Sequence, residues 1–141
     1  MKRCELTIYN HHSLNGENTD STVHANGDFE WTGNDGSFKI HYKEELDDAV
    51  ESLTTIDFKD MEHVTISRSG PLSPNLLLVK GENKECKYET PFGDISMFVA
   101  AKEITSDVTA EGGTLEIAYS IDFNNGDVSE NKTKITVKEI H

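Results

Sequence analysis

The residue in this sequence whose type and position most strongly suggest chemistry is Arg68. It follows Val64 and Ile66 at intervals of two residues, so an extended strand would place all three side chains on one face. Val64 and Ile66 mark that face as the buried one, where an unpaired positive charge costs several kcal/mol. Arg68 therefore needs an anionic or hydrogen-bonding partner.

The guanidinium of Arg68 suits a small carboxylate or phosphate ligand, because its planar group can donate two parallel hydrogen bonds to either anion. Hydroxyl groups from Tyr42, Tyr88 and Tyr119, each on an alternating strand, could complete such a binding site. Three other interpretations remain open. They are an internal ion pair with Glu44, a side chain that reaches water at the mouth of a barrel, and a bulge that turns Arg68 outward.

Metal binding is a weaker interpretation of two polar clusters. His11 and His12 are adjacent, so at a strand end they would point to opposite faces. An exposed turn explains them, together with His24, better than a metal site does. Asp47-Asp48 lies among acidic residues, but the spacing fits no EF-hand calcium loop. We therefore expect no metal and no cofactor.

Enzymatic motifs are absent from the sequence. It contains no Gly-x-Ser-x-Gly nucleophile motif and no glycine-rich phosphate loop. We therefore expect a protein that is not an enzyme, although a catalytic site assembled from residues distant in sequence remains open.

Length and composition indicate a single soluble domain over residues 1–141. With 35% hydrophobic residues and no long apolar run, the sequence offers no membrane span and no secretory signal, so a cytoplasmic location is expected unless a signal has been removed. The formal net charge of −13 argues against nucleic acid as a partner, because phosphate backbones would be repelled. Cys4 and Cys86 are expected to be reduced and buried.

Short alternating strands separated by polar turns account for nearly the whole chain. The clearest alternation of apolar and polar residues runs through residues 115–123, and strong hairpin signals occur at 33–36 and 124–127. No segment has the spacing of a helical crossover between parallel strands. About 8 to 10 strands with short connections predict an all-β, antiparallel, up-and-down sheet that closes into a barrel, since closure removes exposed edges.

Several boundaries in this pattern are less clear. The first strand is expected to end near Asn10, with residues 10–16 forming a polar turn before a second strand at about 22–32. Gly27 within that second strand is expected to mark a bulge or a sharp bend. Residues 44–53 favour two strands joined near Asp47-Asp48, with a short helix as the alternative.

Three motifs carry a family resemblance: RSG at 68–70 after an alternating strand, YETPFG at 88–93, and LEIAYSI at 115–121. In this order and spacing they resemble the YwiB-like proteins, small bacterial β-barrels of lipocalin-like (calycin) topology whose function is uncharacterised. The resemblance implies a single closed cytoplasmic barrel. It supplies no catalytic or ligand-binding residues.

Three functional hypotheses follow for such a barrel. The first is a carrier or sensor that binds a small anionic ligand in the barrel interior through Arg68. The second is a filled, non-catalytic barrel that acts as a protein-interaction module through an apolar patch or a sheet edge, with an unknown protein partner. The third is an enzyme on the same scaffold. Ligand binding is favoured, because an inward arginine requires a partner.

Overall fold

The structure is a computed structural model that describes residues 2–31, 36–46, 50–68, 76–90, 93–123 and 126–140. Within these ranges it describes the backbone but not the side chains of residues 44–46, 50–52, 68, 87–90, 94 and 95. The described residues form ten strands and no helix: β1 Lys2–Leu14, β2 Glu17–Trp31, β3 Phe38–Leu46, β4 Val50–Asp60, β5 His63–Arg68, β6 Leu76–Val79, β7 Asn83–Thr90, β8 Gly93–Ser106, β9 Gly112–Asp122 and β10 Val128–Glu139.

The ten strands form one antiparallel sheet in the order β6-β5-β4-β3-β2-β1-β10-β9-β8-β7. The first and last strands pair with each other, so the two ends of the sheet are β6 and β7, which follow one another in the chain. A parallel bridge joins Lys80, directly after β6, to Ala101 on β8, the strand next to β7, and the Gly81 N–H donates to the Ala101 carbonyl at 3.1 Å. The result is a nearly closed barrel, which confirms the predicted all-β antiparallel barrel and the predicted strand number.

Because every strand is antiparallel to its neighbours, the connections alternate between the two ends of the barrel. We call the end with the β1–β2, β3–β4, β5–β6, β7–β8 and β9–β10 connections the upper end. The other connections lie at the lower end.

Aromatic side chains fill the lower interior. Phe38 lies at the centre, with ring centroids 4.7 Å from Phe58 and 5.8 Å from Phe29, and Trp31 stacks on it at 6.4 Å. Phe29 and Phe38 are almost completely buried, so this aromatic group is packed core.

Both cysteines are buried and free, as predicted. Burial raises the pKa of the Cys4 thiol and of the Cys86 thiol, because the thiolate loses its water. Both are therefore poor nucleophiles and act as small core residues.

The prediction for the first hairpin is wrong in its boundaries. β1 continues through His11 and His12 to Leu14, and β2 begins at Glu17, so the connection is only Asn15-Gly16. Both residues have positive φ, 52° and 81°, which is the backbone of a two-residue type I′ turn. The two histidines therefore lie on a strand and not in an exposed turn.

The prediction of a bulge at Gly27 is also wrong. Gly27 sits in regular register with Cys4 on one side and Tyr42 on the other. A Cβ at this position would lie 2.4 Å from the His41 carbonyl oxygen, so the glycine is explained by the close approach of two backbones. The register shifts lie elsewhere, between Phe58 and Asp60 and between Ala101 and Glu103.

Residues 44–46 and 50–53 belong to two strands, because β3 pairs with β4 as far as Leu46 and Val50. This confirms the hairpin interpretation over the helix. The connection at Asp47-Asp48 lies outside the described residues. In the described part of the chain, no helix has the length and apolar character needed to cross a membrane.

Candidate functional site

On β1, β4 and β10 the inner face of the barrel changes from apolar to polar toward the upper end, whereas on β9 it stays apolar as far as Ile121. On β1 the buried Cys4, Leu6 and Ile8 give way toward the upper end to Asn10 and His12. On β10 and β4 the same change occurs, and the polar inward residues Ser129, Thr133 and Thr54 are all buried. The upper interior is therefore the part of the barrel where hydrogen-bonding groups converge, and it is the candidate functional site.

Three neighbouring strands bring Tyr42, Thr54 and Arg68 to one level of the sheet. Tyr42 on β3 pairs with Thr54 on β4, and Thr54 pairs on its other side with Arg68 on β5. Adjacent strands lie about 4.8 Å apart, which puts the Cα atoms of Tyr42 and Arg68 about 10 Å from each other. We call these three residues the Thr54 row.

The hydroxyl group of Thr54 is the unusual feature of this row. Thr54 is 0% exposed, and its Oγ1 has no hydrogen-bond partner among the described residues. A buried hydroxyl without a partner costs about 1–3 kcal/mol, because the water it bonded in the unfolded chain is not replaced. An unpaired buried polar group therefore lies between the two positions that the sequence selects for ligand binding.

The side chains of Arg68 and Tyr88 lie outside what the structure describes, and so does that of Glu44. Val64, Ile66 and Arg68 lie on one continuous strand, β5, at intervals of two residues, and Val64 and Ile66 are buried. The backbone position of Arg68 therefore has the phase that the sequence predicts. The ion pair with Glu44 stays a prediction for the same reason.

Tyr119 and Tyr88 do not share one level of the sheet. Tyr119 on β9 pairs with Ala101 of β8, whereas Tyr88 on β7 pairs with Ile95 of β8. These two β8 positions are six residues apart, or about 20 Å along a strand. Tyr119 is half-buried and packs against the core. The strand register thus groups Tyr42 with Arg68 but not Tyr88 with Tyr119.

A second polar cluster lies on the inner face of β1 and β10, and the sequence pattern did not reveal it. His12 Nδ1 donates to Asn131 Oδ1 at 2.7 Å, and Asn131 Nδ2 donates to Ser129 Oγ at 2.9 Å. Beside them Thr133 Oγ1 donates to Asn10 Oδ1 at 2.8 Å. Its signal in the sequence is the pair of polar residues Asn10 and His12, in phase with Ile8.

His11 and His12 lie on opposite faces of β1. His12 faces inward, whereas His11 is on the outer face beside Asp20. Hydrogen bonding from His11 lowers the pKa of Asp20, and the same carboxylate, as acceptor, raises the pKa of Tyr9. Among the residues that the structure describes, no group of three or more His, Cys, Asp or Glu side chains could hold a metal ion.

Comparison with known families agrees with the barrel. The family model described as "Domain of unknown function (DUF1934)" matches residues 6–135. The chain belongs to the DUF1934 family. The family description assigns no ligand, reaction or partner to its members.

One relative is the "Uncharacterized beta-barrel protein YwiB" of Bacillus subtilis (strain 168), which is 32% identical over 98 residues. That alignment covers 70% of this chain and 66% of the relative, just under two-thirds of its length. The crystal structure of the Bacillus subtilis ywiB protein superimposes with a TM-score of 0.84 at 21% identity, covering 99% of this chain and 93% of that one. The similarity to YwiB-like proteins is confirmed, and the superposition establishes the shared fold.

Proposed function

We propose that this DUF1934 barrel binds one small anionic ligand in its upper interior, at the Thr54 row. In this proposal the guanidinium of Arg68 neutralises the anion and donates paired hydrogen bonds to it. Thr54 Oγ1 supplies a further hydrogen bond. The role is binding or transport of the ligand, without a chemical reaction on it.

The observation that carries the proposal is the unpaired hydroxyl of Thr54. A valine would fill nearly the same volume without a buried polar atom, so a structural role alone gives no reason for a threonine at this position. A ligand oxygen beside Thr54 would satisfy the hydroxyl. It would also supply the partner that an arginine in register with Thr54 requires.

The surroundings of the Thr54 row support a small ligand with few charges. The chain carries a formal net charge of −13, which disfavours the approach of multiply charged anions at low ionic strength. A carboxylate with one negative charge meets the least repulsion. The upper interior also offers polar groups on β1 and β10, including His12 and Asn131, that could bond the uncharged part of such a ligand.

A cytoplasmic location is part of the same proposal. Cys4 and Cys86 are both free thiols, which suits a reducing compartment.

The test is a calorimetric titration with acetate, lactate, succinate and inorganic phosphate. We expect saturable binding of a carboxylate to the wild type, and a loss of affinity of about tenfold or more in Arg68→Leu, because a charge-assisted hydrogen bond contributes about 1.5–3 kcal/mol. Arg3→Leu is the matched control. It removes the same charge from an exposed arginine that pairs with Asp28 on the outer face.

Thr54→Val should weaken binding of the same anion while the barrel stays folded. Equal affinities for the wild type, Arg68→Leu and Thr54→Val would contradict the proposed site. Absence of binding by every anion in the panel would leave no support for an anion-binding barrel.

A further inference from the structure

β2 has a long unpaired edge in this nearly closed sheet. It pairs with β3 only from Gly27↔Tyr42 to Trp31↔Phe38, so among the described strands its residues 17–26 pair with β1 alone. Residues 17–24 and 26 are exposed, which shows that this edge is open to solvent. It is a ready template for another strand.

The hairpin turn determines which backbone groups point to the open edge. Leu14 and Glu17 close the two-residue turn and form a hydrogen-bonded pair, so the odd-numbered residues of β2 bond to β1. The even-numbered residues therefore direct both their N–H and C=O groups outward: Asn18, Asp20, Thr22, His24 and Asn26. No proline or lysine, the common protections of an edge strand, occurs within residues 17–26.

We propose that this edge pairs with the same edge of a second copy of the chain, forming a two-fold dimer with a continuous sheet across β2. Such an interface is self-complementary, as two-fold symmetry requires. The pairing must fit between the Asn15-Gly16 turn and the Gly27↔Tyr42 pair. In the symmetric register that does so, Ser21 lies on the two-fold axis and faces Ser21 of the second copy. This register makes about eight main-chain hydrogen bonds between the copies.

The side chains in this register are compatible with one another. Asp20 lies opposite Thr22 of the partner copy, and Asn18 opposite His24, so no like charges lie directly opposite each other; the two Asp20 carboxylates are diagonal neighbours across the two-fold axis. Thr19 lies opposite Val23, a pair of β-branched residues that favours strand pairing. The net charge of each copy opposes association, and salt screens that repulsion beyond about 10 Å at moderate ionic strength.

A second copy fits the edge better than an unrelated peptide, since its own sequence supplies the matching register. The inference does not depend on the proposed ligand, because the edge lies on β2 and the Thr54 row on β3, β4 and β5. The open edge of β2 is also the accessible sheet edge that the hypothesis of a protein-interaction module requires.

Sedimentation velocity of the full chain over a range of concentrations tests the dimer. We expect a reversible dimer that is strengthened by moderate salt, and a monomer for Thr22→Pro. The proline removes an N–H that points to the open edge and leaves the β1 pairing intact. Thr22→Ala is the matched control: it retains the N–H and should remain dimeric.

A cysteine scan tests the register independently of the proline variant. In the proposed dimer the two Ser21 residues face each other as a non-hydrogen-bonded pair, with Cα atoms about 4.5 Å apart, which a disulfide can bridge. Ser21→Cys should therefore form a covalent dimer on mild oxidation. Thr19→Cys should not, because the two Thr19 positions are about 13 Å apart along the strands. The native cysteines are buried and should not compete.

Two results would overturn the proposal. One is a wild-type chain that stays monomeric at every protein and salt concentration tested, whether or not it binds an added extended peptide along β2. The other is a dimer that Ser21→Cys fails to cross-link, since its interface would then lie elsewhere.

Discussion

The lower and upper halves of the barrel interior are built on the same strands but from different chemistry. In the lower half, Phe29, Phe38 and Phe58 pack against aliphatic side chains and bury no unpaired polar atom within the described residues. In the upper half, hydroxyl, amide and imidazole groups of β1, β4 and β10 face inward, and the buried hydroxyl of Thr54 has no partner among the described residues. The difference indicates that apolar packing stabilises the lower half, while the polar groups of the upper half must be paired, as Thr133 and Asn10 are, or else cost stability.

Truncation in the lower half should have the largest effect on folding. Phe38→Ala removes a ring that contacts three other aromatic side chains, and we expect the free energy of unfolding to fall by about 3–5 kcal/mol. Urea denaturation followed by circular dichroism measures the change. A loss below about 1 kcal/mol would show that the lower half is not the stabilising part of the interior.

Removal of a paired hydroxyl in the upper half should have a moderate effect. Thr133→Val leaves Oδ1 of the half-buried Asn10 without its donor, and we expect a loss of about 1 kcal/mol. The same denaturation experiment applies. An unchanged midpoint would mean that the hydrogen bond between Thr133 and Asn10 contributes nothing to stability.

Removal of the unpaired hydroxyl should be neutral or stabilising. Thr54→Val replaces a buried group that makes no hydrogen bond with any described residue, so the free energy of unfolding should stay constant or rise by about 1 kcal/mol. The contrast with Thr133→Val isolates the effect of pairing, since both threonines are buried. If Thr54→Val destabilises as much as Thr133→Val, the hydroxyl has a structural partner and the account of the Thr54 row is wrong.

The smallest expected effect lies on the outer face of the upper hairpin. The hydrogen bond from His11 lowers the pKa of Asp20 from its usual value near 3.8, so the ionised carboxylate stabilises the folded chain. This contribution is complete above the unfolded pKa and is lost as pH falls through the lower folded pKa.

The melting temperature of the wild type should therefore exceed that of Asp20→Asn at neutral pH, and the difference should shrink as pH falls below about 4. Differential scanning calorimetry across this range measures it. A difference that grows toward acid would contradict the assigned sign.

The contrast between the two halves also explains which parts of the fold were predictable. Strand alternation is visible where the inner face is apolar, as in Leu115 and Ile117 or Ile135 and Val137, and there the prediction of strands was correct. Where the inner face is polar, hydrophobic periodicity fails, and the pattern predicts a turn over residues 10–16, of which residues 10–14 belong to β1. The Asn15-Gly16 dipeptide, with its preference for the type I′ turn, was the signal that could have corrected this boundary.

The candidate site was predictable only in part, for a related reason. Arg68 stands out because its charge interrupts an apolar face, and its register beside Tyr42 and Thr54 follows from pairing along β3, β4 and β5. Thr54 carries no such signal, since a lone threonine is ordinary in a strand and only the folded surroundings leave its hydroxyl unpaired. The Asn10–Thr133 contact likewise depends on pairing of the first and last strands.

Native mass spectrometry of the purified protein, compared with the same sample after denaturation, tests the central claim most directly. The account predicts an added mass from a small anion on the folded wild type, absent after denaturation and absent from Arg68→Leu but retained by Arg3→Leu. An unliganded mass for the wild type, together with a melting temperature that no carboxylate or phosphate shifts, would contradict it. The upper interior would then be a polar core, and the function would have to be sought at the β2 edge.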